Sequence, residues 1–577
     1  MENHEIAAVF EEIAAIMRIT QDDSKWSFKA SAYDRAKRSI EGLGERLEDI
    51  ARDPNRKLTD IPGIGTDLAA KIKELIETGQ LKYHQEFLKK IPRSLLELMQ
   101  IPGVGPQKVR LLYQQLGIQT LDQLEAAAKA QKLRELPGMS EKSEQNILNA
   151  LGALHRSAGR YRLDQAYETA EEIQAFLAEI KGAQEITPAG SLRRGRDTVG
   201  DLDLLITGGD RARISERFLK FPRIAQVLVA GEDKISVKLK NQMQVDVRLL
   251  EPEEFGSALM YFTGSKEHNV ALRDRAKRRG WKLSEYGLFE GEKRIAGRTE
   301  QEVYRKLDLE YIPPELRENT GEIELAQEGK LPRLVELKDI RGDLQMHTTA
   351  SDGRNSIEEM AAAAKKLGYE YILITDHSKA VTIANGLDDQ RAIEHIAEIK
   401  AARKKVKGIE IWAGTEVDIL GDGELDYPDE ILKQFDIVLA SIHSRMTQPG
   451  EEMTARITKA LANPYVRILG HPTGRYVLRR EPFNFDLERV LAAAKQAGVV
   501  VEVNASPERL DLCDRHARLA RERGLKLVIS TDAHQPKHFE NMRYGVVTAR
   551  RGWAEKKDVI NTYPPEKLLA ALRPLPK

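Results

Sequence analysis

The chain opens on a helical rhythm. Ile6, Val9, Phe10, Ile13, Ile16 and Met17 fall three and four apart and give one apolar face, so Met1 to Arg18 reads as an acidic amphipathic helix. A basic helix carrying aromatics follows, Phe28-Lys-Ala-Ser-Ala-Tyr-Asp-Arg-Ala-Lys-Arg38. Between the next helices a short motif recurs. Leu58-Thr-Asp-Ile-Pro-Gly-Ile-Gly-Thr-Asp-Leu-Ala-Ala-Lys-Ile72 returns as Leu98-Met-Gln-Ile-Pro-Gly-Val-Gly-Pro-Gln-Lys-Val109, with a degraded third copy at Leu133-Arg-Glu-Leu-Pro-Gly-Met-Ser-Glu-Lys-Ser143. Further on, Val199 to Ile206 and Gln244 to Leu250 have the shorter period of strands. From about residue 337, apolar runs of about six to eight residues alternate with Ala- and Lys-rich helices, the order of a parallel α/β barrel.

At 577 residues the chain has room for about three to five domains. Lys plus Arg and Asp plus Glu both number 90, so net charge argues neither for nor against nucleic acid. A neutral sum can hide a basic cleft, and a chain holding several divalent metals needs many acids. No apolar run is long enough to cross a bilayer, and the acidic N-terminal helix is not a signal peptide, so no membrane role is expected. The only cysteine, Cys513, excludes intrachain disulfides and any Cys-based zinc site. The cytoplasm is the expected location.

The chemistry concentrates first in Gly190-Ser-Leu-Arg-Arg-Gly-Arg-Asp-Thr-Val-Gly-Asp-Leu-Asp-Leu-Leu-Ile206. Asp201 and Asp203, two apart on a strand, point to one face, where adjacent carboxylates repel unless a cation sits between them. Phosphoryl transfer supplies that cation as paired Mg²⁺. Gly190 and Ser191 offer N–H groups and a hydroxyl to a triphosphate, and Arg193 and Arg194 add charge. The stretch resembles the nucleotidyltransferase palm of family X DNA polymerases, which implies a third metal carboxylate, met here by Asp246 in Gln244-Val-Asp-Val-Arg-Leu-Leu250. The resemblance extends to Tyr261-Phe-Thr-Gly-Ser265. There it implies that Tyr261, Phe262 and Gly264 lie against the sugar of the incoming nucleotide. Asn269 and Arg273 match residues that reach the base edge and the minor groove. Arg273, Arg275, Lys277, Arg278 and Arg279 form a basic run suited to a template backbone.

The repeated motifs resemble helix-hairpin-helix units. Their paired glycines, Gly63/Gly65 and Gly103/Gly105, allow a tight turn, and the N–H groups of the following helix can hold a DNA phosphate without reading sequence. The third copy has Ser140 in place of its second glycine and reads as structural. By resemblance Lys71 matches a Schiff-base lysine that removes 5′-deoxyribose phosphate, and Lys29 and Tyr33 match residues that help bind the 5′-phosphate. Asp67 stands where the family often has lysine, and that weakens phosphate holding.

In the last part, histidines and acids recur where strands end: Asp343-Leu-Gln-Met-His347, Ser351-Asp352-Gly353, Tyr371-Ile-Leu-Ile-Thr-Asp-His377, Ile411-Trp-Ala-Gly-Thr-Glu416, Ile437-Val-Leu-Ala-Ser-Ile-His443, Ile468-Leu-Gly-His471 and Leu527-Val-Ile-Ser-Thr-Asp-Ala-His534. Side chains at the carboxyl ends of barrel strands meet around one mouth, and imidazole with carboxylate suits Zn²⁺ or Mn²⁺. This set resembles the polymerase and histidinol phosphatase (PHP) domain. The implied ligands are His347, Asp352, His377, Glu416, His443, His471, Asp532 and His534, with Glu416 bridging. The family usually opens His-x-His, whereas this chain has Gln345-x-His347, a weaker ligand that favours Mn²⁺ over Zn²⁺; Asp343 is a candidate to compensate. Arg445 and Arg475 are equally readable as phosphate holders or as surface arginines.

The expected architecture is multidomain. It comprises helix-hairpin-helix domains over 1–80 and 81–158, an α+β palm over 159–250, a thumb over 251–317, a polar linker over 318–336 and a distorted TIM-like PHP barrel over 337–577. The expected protein is a nucleoid-associated monomer that binds gapped or nicked duplex DNA and dNTPs. It would fill gaps in base excision repair, with Mg²⁺ in the palm, and trim 3′ ends in the barrel, with Mn²⁺ and/or Zn²⁺. Abasic-site endonuclease and 3′-phosphatase activities of the barrel stay open, as does a barrel that is a small-molecule phosphatase or silent.

Overall fold

The computed structural model describes residues 3–20, 24–41, 47–53, 56–89, 91, 92, 94–99, 101, 103–157, 159–178, 180 and 183–572. Gln100 and Pro102 of the second hairpin motif lie outside them. The chain forms two compact units, Met1–Ala158 and Gly159–Lys577. No helix among the described residues is long and apolar enough to cross a membrane.

The first unit is helical among its described residues. Phe10, Ile13, Ile16 and Met17 of the helix Asn3–Thr20 are buried, as their spacing requires. The three motif copies share one build, because the residues flanking each Pro-Gly are all core: Ile61 and Ile64, Ile101 and Val104, Leu136 and Met139. Gly63, Gly103 and Gly138 between them have φ of +84°, +82° and +75°, a conformation glycine adopts without strain.

In the second unit, a five-stranded sheet holds β1 (Ala183–Pro188), β2 (Asp201–Gly208), β3 (Ile224–Ala230), β4 (Lys234–Leu239) and β5 (Gln244–Leu250), in the order β1-β2-β5-β4-β3. Only the β2–β5 pair is parallel, and its register sets Asp203 beside Asp246. The helices Phe255–Thr263 and Lys266–Lys277 follow, then a small antiparallel sheet of β6 (Trp281–Ser284), β7 (Gly287–Glu290) and β8 (Lys293–Ala296). Residues 318–336, expected as a polar linker, contain a helix, Glu322–Glu328, whose Ile323 and Ala326 join the core around Tyr304 and Leu316. Its Glu322 is fully buried and meets His268 Nδ1 at 2.7 Å. One buried charge matched by a distant histidine made a packed segment look solvated.

Seven parallel strands in sequential order make the barrel: β9 (Gly342–Asp343), β10 (Tyr371–Ile374), β11 (Glu410–Asp418), β12 (Ile437–Ser441), β13 (Val466–Leu469), β14 (Val500–Asn504) and β15 (Leu527–Ser530). A bridge between Met346 and Ala533 closes it, with the His347 N–H donating to the Ala533 carbonyl at 2.8 Å. Both strand faces are apolar. Ile372, Ile374, Val438 and Ala440 meet the surrounding helices, while Tyr371, Leu373, Ile437 and Leu439 cluster with Leu568 and Leu572 of the last helix, Pro565–Leu572. This double burial is why the strands read as unbroken hydrophobic runs. Barrel residues Val477, Leu510 and Tyr544 belong to the palm's core cluster, and Trp553 to the thumb's.

Candidate functional site

Strands β2 and β5 gather the palm acids. Asp201 is exposed, Asp203 half-buried and Asp246 buried. Burial and the charges of Asp201 and Asp246 push the Asp203 carboxyl up to about 7. Burial works the same way on Asp246, but hydrogen bonds from Lys234, Ser236 and Gln244 outweigh it and hold Asp246 below the usual carboxylate range. Lys234 Nζ lies 2.8 Å away and Ser236 Oγ 2.6 Å. Lys234 and Ser236 come from β4, so no local sequence signal links them to the motif. Gly190, at φ +62°, packs directly on Asp203: a Cβ there would come within 2.8 Å of its Oδ2. The Gly-Ser turn therefore needs glycine both for its conformation and for its closeness to the carboxylate.

Ser191 follows Gly190 in the short helix Gly190–Arg193. The two arginines beside it have different partners. Arg193 faces inward to Glu300, at 2.7 and 2.8 Å, and is unavailable to a ligand, contrary to the expectation. Arg194 spans to Glu318 at 3.2 Å and to the Thr263 carbonyl, with its guanidinium 3.1 Å from where a Cβ on Gly264 would sit. The Tyr261–Phe262 rings are half-exposed and edge-on at 5.1 Å, and Arg248 stacks on Phe262 at 4.1 Å. Asn269 is buried and donates to the Tyr261 carbonyl at 2.6 Å, so it shapes the Tyr-Phe-Thr-Gly turn. Arg273, Lys277 and Arg278 are exposed, but Arg275 binds the Leu307 carbonyl at 2.6 Å and Arg279 pairs with Asp308. Only part of the expected basic face is free to meet a template.

In the first unit, Gly65 and Gly105 cap the helices Thr66–Thr78 and Pro106–Leu116 with φ/ψ of −83°/177° and −81°/177°. Neither conformation demands glycine, and a Cβ at either would meet nothing within 4 Å. In the third copy Ser140 Oγ accepts the Ser143 N–H at 3.2 Å, so that helix start is capped by the chain itself. Lys71 is 13% exposed, pairs with Asp67, and has its ammonium over the rings of Tyr83 at 4.7 Å and Tyr33 at 5.7 Å. Tyr33 is buried edge-on against Phe10 at 5.2 Å, while Lys29 is exposed.

In the barrel the eight expected residues converge on one mouth: Asp352, His377, Glu416, His443, Asp532 and His534 line a cavity of ≈540 Å³, and His347 and His471 meet Glu416. Glu416 is its centre, 1% exposed on β11. Its Oε2 is 3.2 Å from His377 and 3.4 Å from His347, and its Oε1 is 2.8 Å from His471 and 3.4 Å from His443. Asp352 faces His347, His377 and His534 at 3.4–3.8 Å, and Asp532 faces His347 at 3.1 Å. Three overlapping sets offer ligand atoms all within 4.8 Å of one another: His347/Asp352/His377/His534, His377/Glu416/His443 and His347/Glu416/Asp532. Nδ1 of His347, His377 and His471 lacks a hydrogen-bond partner although buried. This donor set fits divalent metal. His443 Nδ1 lies 3.1 Å from Asp418 on the same strand as Glu416, an orientation that aims its Nε2 inward.

Four family descriptions match the chain: a helix-hairpin-helix domain over residues 1–81, a SAM-like helix-hairpin-helix tandem over 95–153, the DNA polymerase beta thumb over 258–318 and the PHP domain over 343–506. The DNA polymerase/3′-5′ exonuclease PolX of Bacillus subtilis (strain 168) is 39% identical over 565 residues, which are 97% of this chain and 97% of that protein. The chain belongs to the family X DNA polymerases with a C-terminal PHP domain. Over 203 residues, 33% of the chain, a probable phosphatase of Thermoanaerobacter sp. (strain X514) is 35% identical, covering 78% of that protein. A polymerase beta of Leishmania infantum, solved as a ternary P/T complex, is 23% identical and covers 39% of this chain and 98% of that one at a TM-score of 0.26, too low to bear on the argument.

In this family X chain Gln345 is fully buried; its Oε1 accepts from Asn504 at 3.3 Å and its Nε2 has no partner. Asp343 does not compensate for it, because both its oxygens are taken by Thr531. Arg475 is neither a surface nor a cavity residue, being bonded to Asp197 at 2.9 Å and to the Leu510 carbonyl at 2.7 Å. Arg445, in a left-handed turn at φ +49°, packs against Gly421. The arginine that lines the cavity is Arg509, 12% exposed, 3.5 Å from Asp532 and stacked on Tyr476 at 4.5 Å. Glu502 lies behind the site with one oxygen bonded to the His471 N–H at 2.6 Å, and burial pushes its carboxyl well up.

Proposed function

We propose that the protein is a template-directed DNA polymerase that fills short gaps during base excision repair, and that its barrel is a 3′-5′ exonuclease. What carries the reading is the presence of two carboxylate centres on one chain that is 39% identical to a DNA polymerase/3′-5′ exonuclease along nearly its whole length. We assign 1–80 and 81–158 to DNA-gripping hairpin domains, 159–250 to the palm, 251–336 to the thumb, now including the segment first read as a linker, and 337–577 to the PHP barrel.

In the palm, Asp201, Asp203 and Asp246 would hold Mg²⁺, which when bound would supply the positive charge that phosphoryl transfer needs. Ser191 and Arg194 bind the triphosphate. The Tyr261–Gly264 turn sits against the sugar, Asn269 keeps that turn in shape, and Arg273 faces the template. The primer 3′-OH attacks the α-phosphate, pyrophosphate leaves, and the hydroxyl proton passes to solvent. Gly65 and Gly105 leave open space in front of helix N–H groups, which a backbone phosphate can fill.

In the barrel, the eight residues would hold Mn²⁺ and/or Zn²⁺, which when bound would supply Lewis-acid charge at a phosphodiester. Arg509 steadies the scissile phosphate, held in place by the Tyr476 ring, which also carries Arg480. Glu416 orients four imidazoles, and Asp418 sets His443. The 35% identity with a probable phosphatase supports a second reading, a barrel that hydrolyses small phosphomonoesters. We assign a lyase role to Lys71, whose amine lies over the rings of Tyr83 and Tyr33 and beside Asp67. Borohydride trapping on 5′-deoxyribose phosphate DNA tests it: loss of the adduct in Lys71→Ala is expected, and a wild-type chain that gives none ends the assignment.

One gel tests the main reading: 5′-labelled primer on a one-nucleotide gap with Mn²⁺, with and without dNTPs. Wild type should extend with dNTPs and shorten without, and Asp201→Ala should only shorten. A wild type that never shortens the primer but hydrolyses p-nitrophenyl phosphate moves the barrel to the second reading.

A further inference from the structure

The last turn of the barrel helix Met542–Arg551 sits on the turn that carries Ser191 and Arg194. Gly195, two residues past the helix Gly190–Arg193, has φ +67°, and a Cβ there would be 2.0 Å from Val547 Cγ1 and 3.6 Å from Arg551 Cδ. Arg551 is almost fully enclosed, with a side chain 3% exposed, and every part of its guanidinium is engaged. Nε and Nη2 donate to Asp514 at 2.9 and 2.7 Å, both within the barrel. Nη1 leaves the barrel and donates to the Arg194 carbonyl at 2.8 Å and to Glu318 Oε1 at 3.0 Å. That same Oε1 accepts from Arg194 Nε at 3.2 Å and lies 3.8 Å from Arg196. Beside it, Arg550 bonds Glu315 at 2.7 Å, and Trp553 is buried in the thumb's cluster.

From this geometry we propose that Arg551 is a positioning residue of the polymerase site, through which the C-terminal barrel shapes the pocket for the nucleoside triphosphate. The inference rests on the polymerase reading above. Arg551 acts twice. It pins the backbone at Arg194, and it shares the Glu318 carboxylate, so that Arg194 does not have to neutralise it alone. Without Arg551, Glu318 is left to Arg194 and Arg196, and the Arg194 guanidinium is drawn toward Glu318 and away from the triphosphate. The barrel then has a second task besides its own chemistry, completing the neighbouring site.

The test is steady-state gap filling by the full chain, comparing wild type with Arg551→Ala, Arg551→Lys and Arg551→Ala/Glu318→Gln. Lysine keeps the charge but cannot reach Asp514, Glu318 and the carbonyl together. The expected result is a KM for dNTP raised roughly tenfold in the first two, with kcat changed by less than about twofold. Adding Glu318→Gln, which removes the stranded carboxylate, should recover most of the KM. A purely structural role lowers active fraction and hence kcat, and a neutralised Glu318 does not reverse it. An unchanged KM in Arg551→Lys overturns the proposal, as does a fall confined to kcat. A failed polymerase reading is recognised separately, because Asp203→Asn would then incorporate nucleotide as fast as wild type.

Discussion

Replacing Asp203 by Asn should make the metal-free protein more stable above neutral pH. In the folded chain the Asp203 carboxyl stands at about 7 against an ordinary 3.8, chiefly through burial and then through Asp201 and Asp246. The folded state thus holds a proton that the unfolded state gives up, and stability contributed by the protonated form is complete below pH 3.8 and lost as pH rises through 7. A rise of about 3 units at 1.36 kcal/mol each costs up to about 4 kcal/mol once Asp203 is ionised. Asn has the shape of the neutral acid and escapes this cost. Its advantage over wild type should grow by roughly 2–3 kcal/mol between pH 5 and pH 8. Urea unfolding in EDTA at both pH values measures the difference, and the other titrating groups cancel between the two proteins. Excess Mg²⁺ should then raise wild-type stability at pH 8 and leave Asp203→Asn nearly unmoved, because ligand binding stabilises only what it binds. Parallel pH profiles for the two proteins, or a less stable variant at pH 8, would refute the view that these carboxylates are held together against their own repulsion.

Glu416→Ala should abolish 3′ trimming, by at least about a hundredfold, and lower metal content measured by mass spectrometry, while gap filling persists. Asp418→Asn removes the charge that faces His443 Nδ1, the His443 N–H and Ser444 Oγ while keeping the side chain's size, so metal affinity should fall roughly 10–100-fold with the barrel still folded, as read by metal titration. Gly103→Ala and Gly105→Ala should part company. The first forces alanine to φ +82° and should cost roughly 1 kcal/mol in thermal unfolding. The second meets no protein atom and should leave stability alone, yet weaken binding to gapped DNA roughly three- to tenfold, because its methyl enters the space left for a phosphate.

What was legible in the sequence was whatever a local period could express. Two aspartates two apart on a strand share a face, so the Asp201/Asp203 pair needed no fold to be seen, and a strand-end histidine in a parallel barrel has one mouth to face. The partners that tune these groups were not legible, because each comes from a different strand or domain: Lys234 and Ser236 for Asp246, Asn504 for Gln345, and Arg509 for the cavity. Composition misled in the same way. Arg193 reads in the sequence as charge for a triphosphate, and Arg475 as either a phosphate holder or a surface arginine, but each is matched by a distant acid, Glu300 and Asp197. The helix within 318–336 is only seven residues long, too short for a period to show, and its buried Glu322 is met by His268 and by the N–H groups of Asn319 and Thr320.

The two centres manage the repulsion between carboxylates in opposite ways. The palm leaves it largely unresolved: Lys234 settles Asp246, and Asp203 has only the weaker help of Arg248 and Lys234 against burial and two acids. The barrel instead surrounds its acids with imidazoles. Burial alone would lower His347 and His443, but Asp532 and Glu416 respectively, with their hydrogen bonds, raise them to about 10 and about 9. His377 goes the other way, to about 4, through burial and its neighbouring histidines. Without metal, these acids favour the protonated forms of His347 and His443, whose charge offsets that of Asp532 and Glu416. A metal must displace those protons to bind, so its affinity rises with pH until His347 and His443 are free of them. The palm's demand is different: its cation needs to displace at most the single proton of Asp203.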